Sequence, residues 1–278
     1  MKGKIVLITG ATDGIGKQTA LELARMGAHL ILHARNREKG EKVVGEIKSK
    51  SGNDKIDLVL ADFTSLDEIR RLGDEIIEKH DKIDVLINNA GVQLPNRVMT
   101  PDGFETMYEV NYLAVFLLTS RLLSLVMNSN TKRIIIVASQ LHSAEMDFEN
   151  LQGEKEFSLY PNYAVSKLCS IMFCYDLARR LRKTGVTVNA VHPGLIATNL
   201  NPDRTIEVKA RALPVEKGTM SIMHLATSRD MGNVSGSFYN AEARTTRSRP
   251  ISYNKAIQRR LWALAEKQIG EEFLLPEN

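Results

Sequence analysis

Short apolar runs alternate with amphipathic segments along most of the chain. The runs occupy residues 5–8, 29–33, 56–60, 83–87, 133–138, 186–191 and 237–239. They are rich in branched residues, which is typical of strands buried on both faces of a parallel sheet. Segments with helical spacing, such as residues 66–78, separate them. This alternation predicts an α/β fold, a three-layer doubly wound Rossmann fold with a mainly parallel seven-stranded sheet.

The composition predicts one globular domain over residues 1–278. A chain of 278 residues with 43% hydrophobic residues can bury the core of one large domain. No internal repeat or low-complexity linker divides it. Two irregular stretches interrupt the alternation, and we expect a substrate loop at about 140–160 and a mobile lid at about 195–217.

The charge distribution argues against nucleic-acid binding, and the cysteine content indicates a reducing compartment. The 37 basic and 33 acidic residues are interleaved, without the clustered stripe that nucleic-acid binding requires. The two cysteines, Cys169 and Cys174, lie five residues apart on one predicted helix and cannot readily bond each other, which suits a reducing compartment. No signal peptide or membrane span is predicted. We therefore expect a cytoplasmic protein with a small-molecule partner.

A glycine-rich turn follows the first predicted strand. The stretch Thr9-Gly10-Ala11-Thr12-Asp13-Gly14-Ile15-Gly16 leads directly into an amphipathic helix. Glycines permit close backbone approach to a pyrophosphate, and the helix start attracts its charge. Three ordinary turn glycines are the alternative, which the flanking strand and helix make less favourable.

The end of the second strand indicates which coenzyme would bind. A fold that selects NAD places Asp or Glu there to bind the ribose 2′-hydroxyl. This chain has Ala34 followed by Arg35, with Arg37 and Lys39 close behind. A 2′-phosphate would be attracted, so NADP(H) is favoured over NAD(H). The alternative is that these are solvated charges at the start of a helix.

Polar residues follow other strands at the edge where such a sheet binds its ligand. Asp62 comes after the third strand and could accept from an adenine amino group or cap the next helix. The stretch Asn88-Asn89-Ala90-Gly91 follows the fourth strand, and Pro193-Gly194 follows the sixth. The sequence thus predicts a ligand crevice along this edge.

Tyr163 and Lys167 have the spacing of one helical turn, so both side chains would share a face. A phenol titrates near 10, and an adjacent, partly desolvated ammonium would lower that pKa toward neutrality. Ser139 ends the fifth strand, and Asn111 lies within a long apolar helix predicted over residues 104–125. An amide there needs partners, and a structural hydrogen bond is the alternative to a functional one. No glycine-flanked elbow surrounds Ser139, which argues against a hydrolase.

In order and spacing, these motifs resemble the short-chain dehydrogenase/reductase family over nearly the whole chain. The resemblance is greatest to its retinol-dehydrogenase branch, on Ala34-Arg35-Asn36, Asp102-Gly103-Phe104-Glu105, Val191-His192-Pro193-Gly194 and Leu261-Trp262. This sequence does not show the N-terminal hydrophobic segment of membrane-anchored retinol enzymes, which favours other lipophilic ketones, aldehydes or alcohols over a retinoid.

The resemblance implies a role for each matching residue. Tyr163 would be the acid/base, Ser139 would position the substrate oxygen, and Lys167 would hold the nicotinamide ribose, with Asn111 supporting a water relay. Hydride would pass between the nicotinamide and the substrate carbon. The implied coenzyme-binding residues are Gly10, Thr12, Asp13, Gly14, Ile15, Gly16, Arg35, Asp62, Phe63, Asn88, Asn89, Ala90, Gly91, Tyr163, Lys167, Pro193, Gly194, Ile196 and Thr198. No metal site is predicted.

The leading hypothesis is therefore an NADP(H)-dependent oxidoreductase that acts on a carbonyl/alcohol pair. A protein that senses NADP(H) without catalysis is the alternative, although it would not need Asn111, Ser139, Tyr163 and Lys167 together. The long apolar helices predict a homodimer or homotetramer interface, and a scaffold that acts through these helices is a third alternative.

Overall fold

One eight-stranded sheet runs through the computed structural model, which describes residues 1–200 and 212–276. The strands are β1 (Ile5–Ile8), β2 (His29–Ala34), β3 (Ile56–Leu60), β4 (Val85–Asn88), β5 (Arg133–Val137), β6 (Thr187–Val191), β7 (Phe238–Tyr239) and β8 (Thr245–Thr246). Their order is β3-β2-β1-β4-β5-β6-β7-β8, and only the β7–β8 pair is antiparallel. The predicted fold class is confirmed. The predicted count of seven was one short, because the two-residue β8 is too short to show a periodic pattern.

Besides two short 3₁₀ helices, Arg229–Asn233 and Pro250–Tyr253, seven helices flank the sheet in the described residues. They are α1 (Gly14–Arg25), α2 (Arg37–Ser51), α3 (Leu66–Lys79), α4 (Thr106–Met127), α5 (Leu159–Arg180), α6 (Val215–Thr227) and α7 (Lys255–Ile269). The side chains of Asp13, Asn36 and Ser65 accept backbone N–H groups at the starts of α1, α2 and α3. These caps satisfy donors that a helix start otherwise leaves without partners, so polar residues in the sequence set where each helix begins.

The helices form two layers with a hydrophobic cluster on each face of the sheet. On one face α3, α4, α5 and α7 contribute side chains that include Leu72, Phe116 and Phe173. On the other face α1, α2 and α6 pack Leu23 and Ile47 against the strands, together with Ile222. Strands buried on both sides therefore carry continuous apolar runs, as the sequence pattern indicated.

The direction of strand addition reverses between β1 and β4. These strands are paired neighbours, and β2 and β5 extend the sheet on opposite sides of them. A crevice opens at such a reversal, beyond the carboxyl ends of the strands. Gly10 follows β1 and Asn89 follows β4, so the two motifs meet at this crevice.

Helix α4 is apolar enough to cross a membrane by length and composition, with a mean hydropathy of 1.7. However, 83% of that window is buried inside the protein, as in the core helix of a soluble protein. Helix α7 and Phe273 pack over α4 and α5, whose apolar faces were predicted to meet a partner subunit. The homodimer or homotetramer stays a prediction, and its interface would need another surface.

The two irregular stretches differ in how much of them can be described. Residues 140–158 contain no helix or strand, and α5 begins at Leu159. Of the predicted lid at 195–217, residues 201–211 lie outside the described part of the chain. Ile196 and Leu213, on either side of that gap, form an isolated parallel bridge that brings the two flanks together.

Candidate active site

A cavity of about 910 Å³ lies along the carboxyl edge of the sheet. Its wall includes Ser139 and nearly every residue that the resemblance assigned to the coenzyme. Those residues are Gly10, Thr12, Asp13, Gly14, Ile15, Gly16, Arg35, Asp62, Phe63, Asn89, Ala90, Gly91, Tyr163, Lys167, Pro193, Gly194, Ile196 and Thr198. The fold thus brings together residues spread over almost 190 positions of sequence.

The glycine turn packs too tightly for any larger residue. Gly10 has a φ of 64°, and a Cβ there would lie 2.8 Å from the Cα of Ala90. A Cβ on Gly16 would lie 2.4 Å from the carbonyl oxygen of Gly10. Asn89 donates from Nδ2 to the carbonyl oxygens of Thr9 and Gly10, at 2.8 and 3.1 Å. These contacts bring the start of α1 against the crevice, where its N–H groups and dipole can receive a pyrophosphate.

The far end of the cavity is bordered by His33, Arg35, Asp62 and Phe63. The Arg35 side chain is exposed and makes no ion pair within residues 1–200 and 212–276. Oδ1 of Asp62 accepts from the N–H and hydroxyl of Thr64, at 3.0 and 2.9 Å, in the turn before α3, whereas the cap of α3 itself is Ser65. The helix-cap interpretation of Asp62 is therefore wrong, whereas its position on the cavity wall leaves adenine binding as a prediction.

His33 was not singled out from the sequence, yet it joins three strand ends. Its Nδ1 accepts from the Gly10 N–H at 3.2 Å, and its Nε2 donates to the Ala61 carbonyl at 2.9 Å. The ring stacks on Phe63 with centroids 4.2 Å apart. Burial lowers the pKa of His33 to about 4, so the ring is neutral in this role. The sequence gives no sign of this role, because a histidine inside an apolar strand suggests only core packing and its partners are distant in sequence.

Ser139, Tyr163 and Lys167 line the cavity near the end of β5. All three are buried, with exposures of 8%, 6% and 4%. Lys167 Nζ donates to the carbonyl oxygen of Val137 at 3.1 Å and lies 5.7 Å from the centroid of the Tyr163 ring. Burial lowers the pKa of Lys167 to about 8. The ammonium is thus a desolvated cation beside a phenol, as the helical spacing predicted.

Asn111 lies in a π-helical segment of α4, Glu109–Leu113, behind the cavity wall. Its Oδ1 accepts from the Val92 N–H at 2.8 Å, and its Nδ2 donates to the Val92 carbonyl at 3.0 Å and to Ser166 Oγ at 2.9 Å. The amide therefore fastens the loop after β4 to α5. A Cβ on Gly91 would lie 3.1 Å from Asn111 Oδ1 and 3.3 Å from Lys167 Nζ, so these groups converge.

Asn88 and Asn89 are adjacent in sequence but have different surroundings. Asn89 lines the cavity, whereas Asn88 is 2% exposed and donates to Thr119 Oγ1 at 3.0 Å. The alternation of side chains along a strand end turns Asn88 toward α4, away from the cavity that Asn89 reaches. Sequence spacing alone could not separate the two.

The residues at the crevice fit a nicotinamide dinucleotide. The tight glycine turn suits a pyrophosphate, and Arg35 provides a cation near the second strand. Within the described chain, the buried Lys167 ammonium donates only to Val137, which leaves two N–H groups for ribose hydroxyls. A doubly wound fold with such a crevice and a serine, tyrosine and lysine beside it defines a nicotinamide-dependent oxidoreductase. The short chain dehydrogenase family pattern matches residues 4–208, and the chain belongs to that family.

Known relatives agree with this assignment over nearly the full chain. Mouse retinol dehydrogenase 14 is 37% identical, over 97% of this chain and 87% of its own length. A solved protein from Mycobacterium paratuberculosis superposes with a TM-score of 0.80 at 28% identity, covering 98% of this chain and 95% of its own. A Shigella flexneri short chain dehydrogenase complexed with NADP has a TM-score of 0.71 at 24% identity, covering 87% and 98%, which shows a shared fold. The resemblance to the retinol-dehydrogenase branch is confirmed.

Proposed function

We propose that this protein is an NADP(H)-dependent oxidoreductase that interconverts a lipophilic carbonyl compound and its alcohol. The observation that carries the proposal is the position of Ser139, Tyr163 and Lys167, which line the same cavity as the glycine turn. A binding protein without catalysis has no use for a desolvated lysine beside a tyrosine and a serine at this depth. The proposed setting is the reducing cytoplasm, in keeping with the buried, unpaired Cys169 and Cys174.

The chain's own residues supply positioning and proton transfer. Ser139 Oγ accepts from the Leu141 N–H at 3.0 Å, which leaves its hydroxyl hydrogen to donate to a substrate oxygen. Tyr163 gives its proton to that oxygen in reduction and takes it back in oxidation. The Lys167 ammonium lowers the free energy of the phenolate that remains. A bound nicotinamide coenzyme supplies the hydride in reduction and accepts it in oxidation.

Arg35 supports NADP(H) as the coenzyme. It follows β2, where Ala34 stands in place of a carboxylate, and its guanidinium lines the cavity without an ion-pair partner in the described chain. A planar guanidinium can bind a 2′-phosphate through two hydrogen bonds. The Shigella flexneri structure was determined with NADP, in keeping with this proposal.

The cavity wall supports a lipophilic substrate. Apolar side chains line the cavity with Ser139, among them Leu94, Leu141, Tyr160 and Leu195. Gln93 also lines it, and its amide makes no hydrogen bond within the described residues, so it can bind one polar group of a substrate. The mouse relative is named for retinol, a lipophilic alcohol.

The decisive test is Tyr163→Phe assayed with NADPH and a panel of lipophilic ketones and aldehydes. Loss of the phenol proton should lower kcat by about 10³-fold, within the range of general acid catalysis. The affinity for NADPH, measured by fluorescence titration, should change less than threefold. Tyr239→Phe is the matched control, because that hydroxyl contacts Met231 in the hydrophobic cluster on the opposite face of the sheet.

Two results would reject the mechanism or the function. Equal turnover by Tyr163→Phe and the wild type would reject Tyr163 as the acid/base. Tight NADPH binding by a wild-type protein that turns over no member of the panel, in either direction, would favour the coenzyme-sensing alternative.

A further inference from the structure

The buried imidazole of His142 is bonded on both sides, and its partners define its tautomer. Nδ1 lies 2.8 Å from the carbonyl oxygen of Ser139, and Nε2 lies 2.9 Å from the backbone nitrogen of Arg249. A backbone N–H can only donate, so Nε2 is the acceptor. Nδ1 therefore carries the proton and donates it to Ser139. The ring packs edge to face on Phe238, with centroids 5.6 Å apart.

The Arg249 end of this contact is held by a chain of hydroxyl groups. Tyr175, on α5, bonds Ser248 Oγ at 2.8 Å, and Ser248 bonds Ser252 Oγ at 2.6 Å. Ser252 donates from both its hydroxyl and its backbone N–H to the Arg249 carbonyl, at 2.6 and 2.9 Å. Arg249 is thus fixed to α5, the helix that carries Tyr163 and Lys167.

The other partner of His142 is Ser139, the residue proposed to position the substrate oxygen. His142 holds the Ser139 carbonyl, and the Leu141 N–H holds the Ser139 hydroxyl oxygen. Both the backbone and the side chain of Ser139 are therefore constrained. His142 itself is 4% exposed and does not line the cavity, so it can act on a substrate only through Ser139.

We propose that His142 is a positioning residue, which sets Ser139 against Tyr163 by linking the Ser139 carbonyl to the turn at residues 248–253. The link requires the neutral imidazole with its proton on Nδ1. This inference rests on the proposed oxidoreductase function.

Protonation of His142 would break the link. An imidazolium would turn an Nε2–H toward the Arg249 N–H, which sets donor against donor. The Arg249 side chain strengthens this effect, because its positive charge disfavours a second one on the ring. His192 also lies near the ring, but burial lowers its pKa to about 4, so it stays neutral above that pH. Burial is the main cause that lowers the pKa of His142. On the acid side, kcat should therefore fall as one proton binds to His142, and this fall should begin only at a pH below the usual range of histidine.

The test compares His142→Phe and His142→Asn with the wild type, using NADPH and one substrate from the carbonyl panel. Phenylalanine keeps the ring packing and loses both bonds, so kcat should fall about 10- to 100-fold through misplacement of Ser139. The Kd for NADPH should stay within about twofold, since His142 lies off the cavity wall. Asparagine can still donate to the Ser139 carbonyl but does not extend to the Arg249 N–H, so it should recover only part of kcat and abolish the acid limb of the pH profile. Ser143→Ala is the control in the same loop, because in the described part of the chain the Ser143 hydroxyl accepts only from the Glu145 N–H.

A second measurement does not depend on activity. Long-range ¹H–¹⁵N NMR of the wild-type protein should show His142 as the Nδ1–H tautomer at neutral pH. An Nε2–H tautomer, or a His142→Phe enzyme with wild-type kcat and pH profile, would overturn the inference. A wild-type protein without turnover on any carbonyl would instead reject the proposed function, and the NMR result would then decide the hydrogen-bond link alone.

Discussion

The proposed preference for NADP(H) rests on Arg35, because the glycine turn offers no feature that would distinguish NAD from NADP. The residue before Gly14 is Asp13, whose carboxylate accepts from the Gly14 N–H and from Asn199. It therefore offers no cation for a 2′-phosphate. Arg35 has a neighbour of the same charge, Arg37, which instead faces Glu41 on α2 at 3.6 Å.

Arg35→Asp should weaken NADPH binding far more than NADH binding. Loss of charge-assisted bonds to a 2′-phosphate costs about 2 to 3 kcal/mol, or roughly 30- to 150-fold in Kd. NADH has no such phosphate, so its Kd should change less than threefold. Arg37→Asp is the matched control. Titration of NADPH and of NADH against Arg35→Asp, Arg37→Asp and the wild type measures the difference. An unchanged preference of Arg35→Asp for NADPH over NADH would reject the role of Arg35.

The spacing of motifs in the sequence predicted the residues that line the cavity, but not the residues whose hydrogen bonds fix their positions. Tyr163 and Lys167 could be placed on one helical face from their separation alone. The contacts of His33 with Gly10 and Ala61, or of His142 with Arg249, join positions that are 23 to 107 residues apart. No local pattern encodes such pairs, because they exist only once the strand ends have met. The same reason explains why Asn88 and Asn89 could not be told apart.

At the scale of elements, the π-helical segment Glu109–Leu113 places Asn111 for its hydrogen bonds and at the same time buries a carboxyl group. The extra residue in the turn lets Asn111 reach Val92 and Ser166. The same segment buries Glu109, whose two carboxylate oxygens are enclosed and make no hydrogen bond within residues 1–200 and 212–276. Burial, together with the charge of Asp102, raises the pKa of Glu109 to about 8. A π segment often marks a functional site, and here it coincides with an unpaired buried acid.

Glu109→Gln should stabilise the protein at alkaline pH. The folded state keeps the proton up to about pH 8, whereas the unfolded chain loses it near 4.5. Between these values the unfolded state binds fewer protons, so the free energy of unfolding falls as pH rises. Glutamine does not titrate and avoids this loss, which should amount to a gain on the order of 3 kcal/mol at pH 8 and close to zero at pH 4.5.

Urea unfolding at the two pH values measures the effect of Glu109→Gln. Glu78→Gln, an exposed site on α3, is the control and should stay within about 0.5 kcal/mol at both. A glutamine variant that is less stable than the wild type at pH 8 would show that the ionised Glu109 is well accommodated.

Element boundaries followed from sequence where caps and periodicity agreed. Helix α3 begins at Leu66, as predicted, because Ser65 caps it and acidic residues fill its first turn. Helix α6 begins at Val215 without such a signal, since the side chain of Pro214, at its N-cap position, has no hydrogen-bond acceptor. The π segment could not be foreseen, because its hydrogen-bond register depends on what Asn111 meets across the site.

At the scale of the whole molecule, the C-terminal segment covers the two longest apolar helices. Trp262 on α7 packs on Phe116 of α4 and Phe173 of α5, with centroids 4.9 and 5.8 Å away. Phe273 follows α7 and joins the same cluster, 4.9 Å from Phe116. Ion pairs from Arg70 and Arg121 to Glu271 fasten this segment to α3 and α4. The chain thus uses its own C-terminal segment to bury a surface that could otherwise meet a second subunit.

Phe273→Ala and Leu274→Ala test whether the Phe273 ring holds the C-terminal segment, residues 255–276, over α4 and α5. Phe273 is 5% exposed and Leu274 is 55% exposed, although they are adjacent. Removing the buried ring should cost about 3 to 4 kcal/mol, whereas Leu274→Ala should stay within about 0.5 kcal/mol. Thermal unfolding measures both. Because the cavity left by Phe273 exposes Phe116 and Phe173, that variant alone should also self-associate on gel filtration. Equal melting temperatures for the two variants would show that Phe273 does not hold the C-terminal segment over α4 and α5.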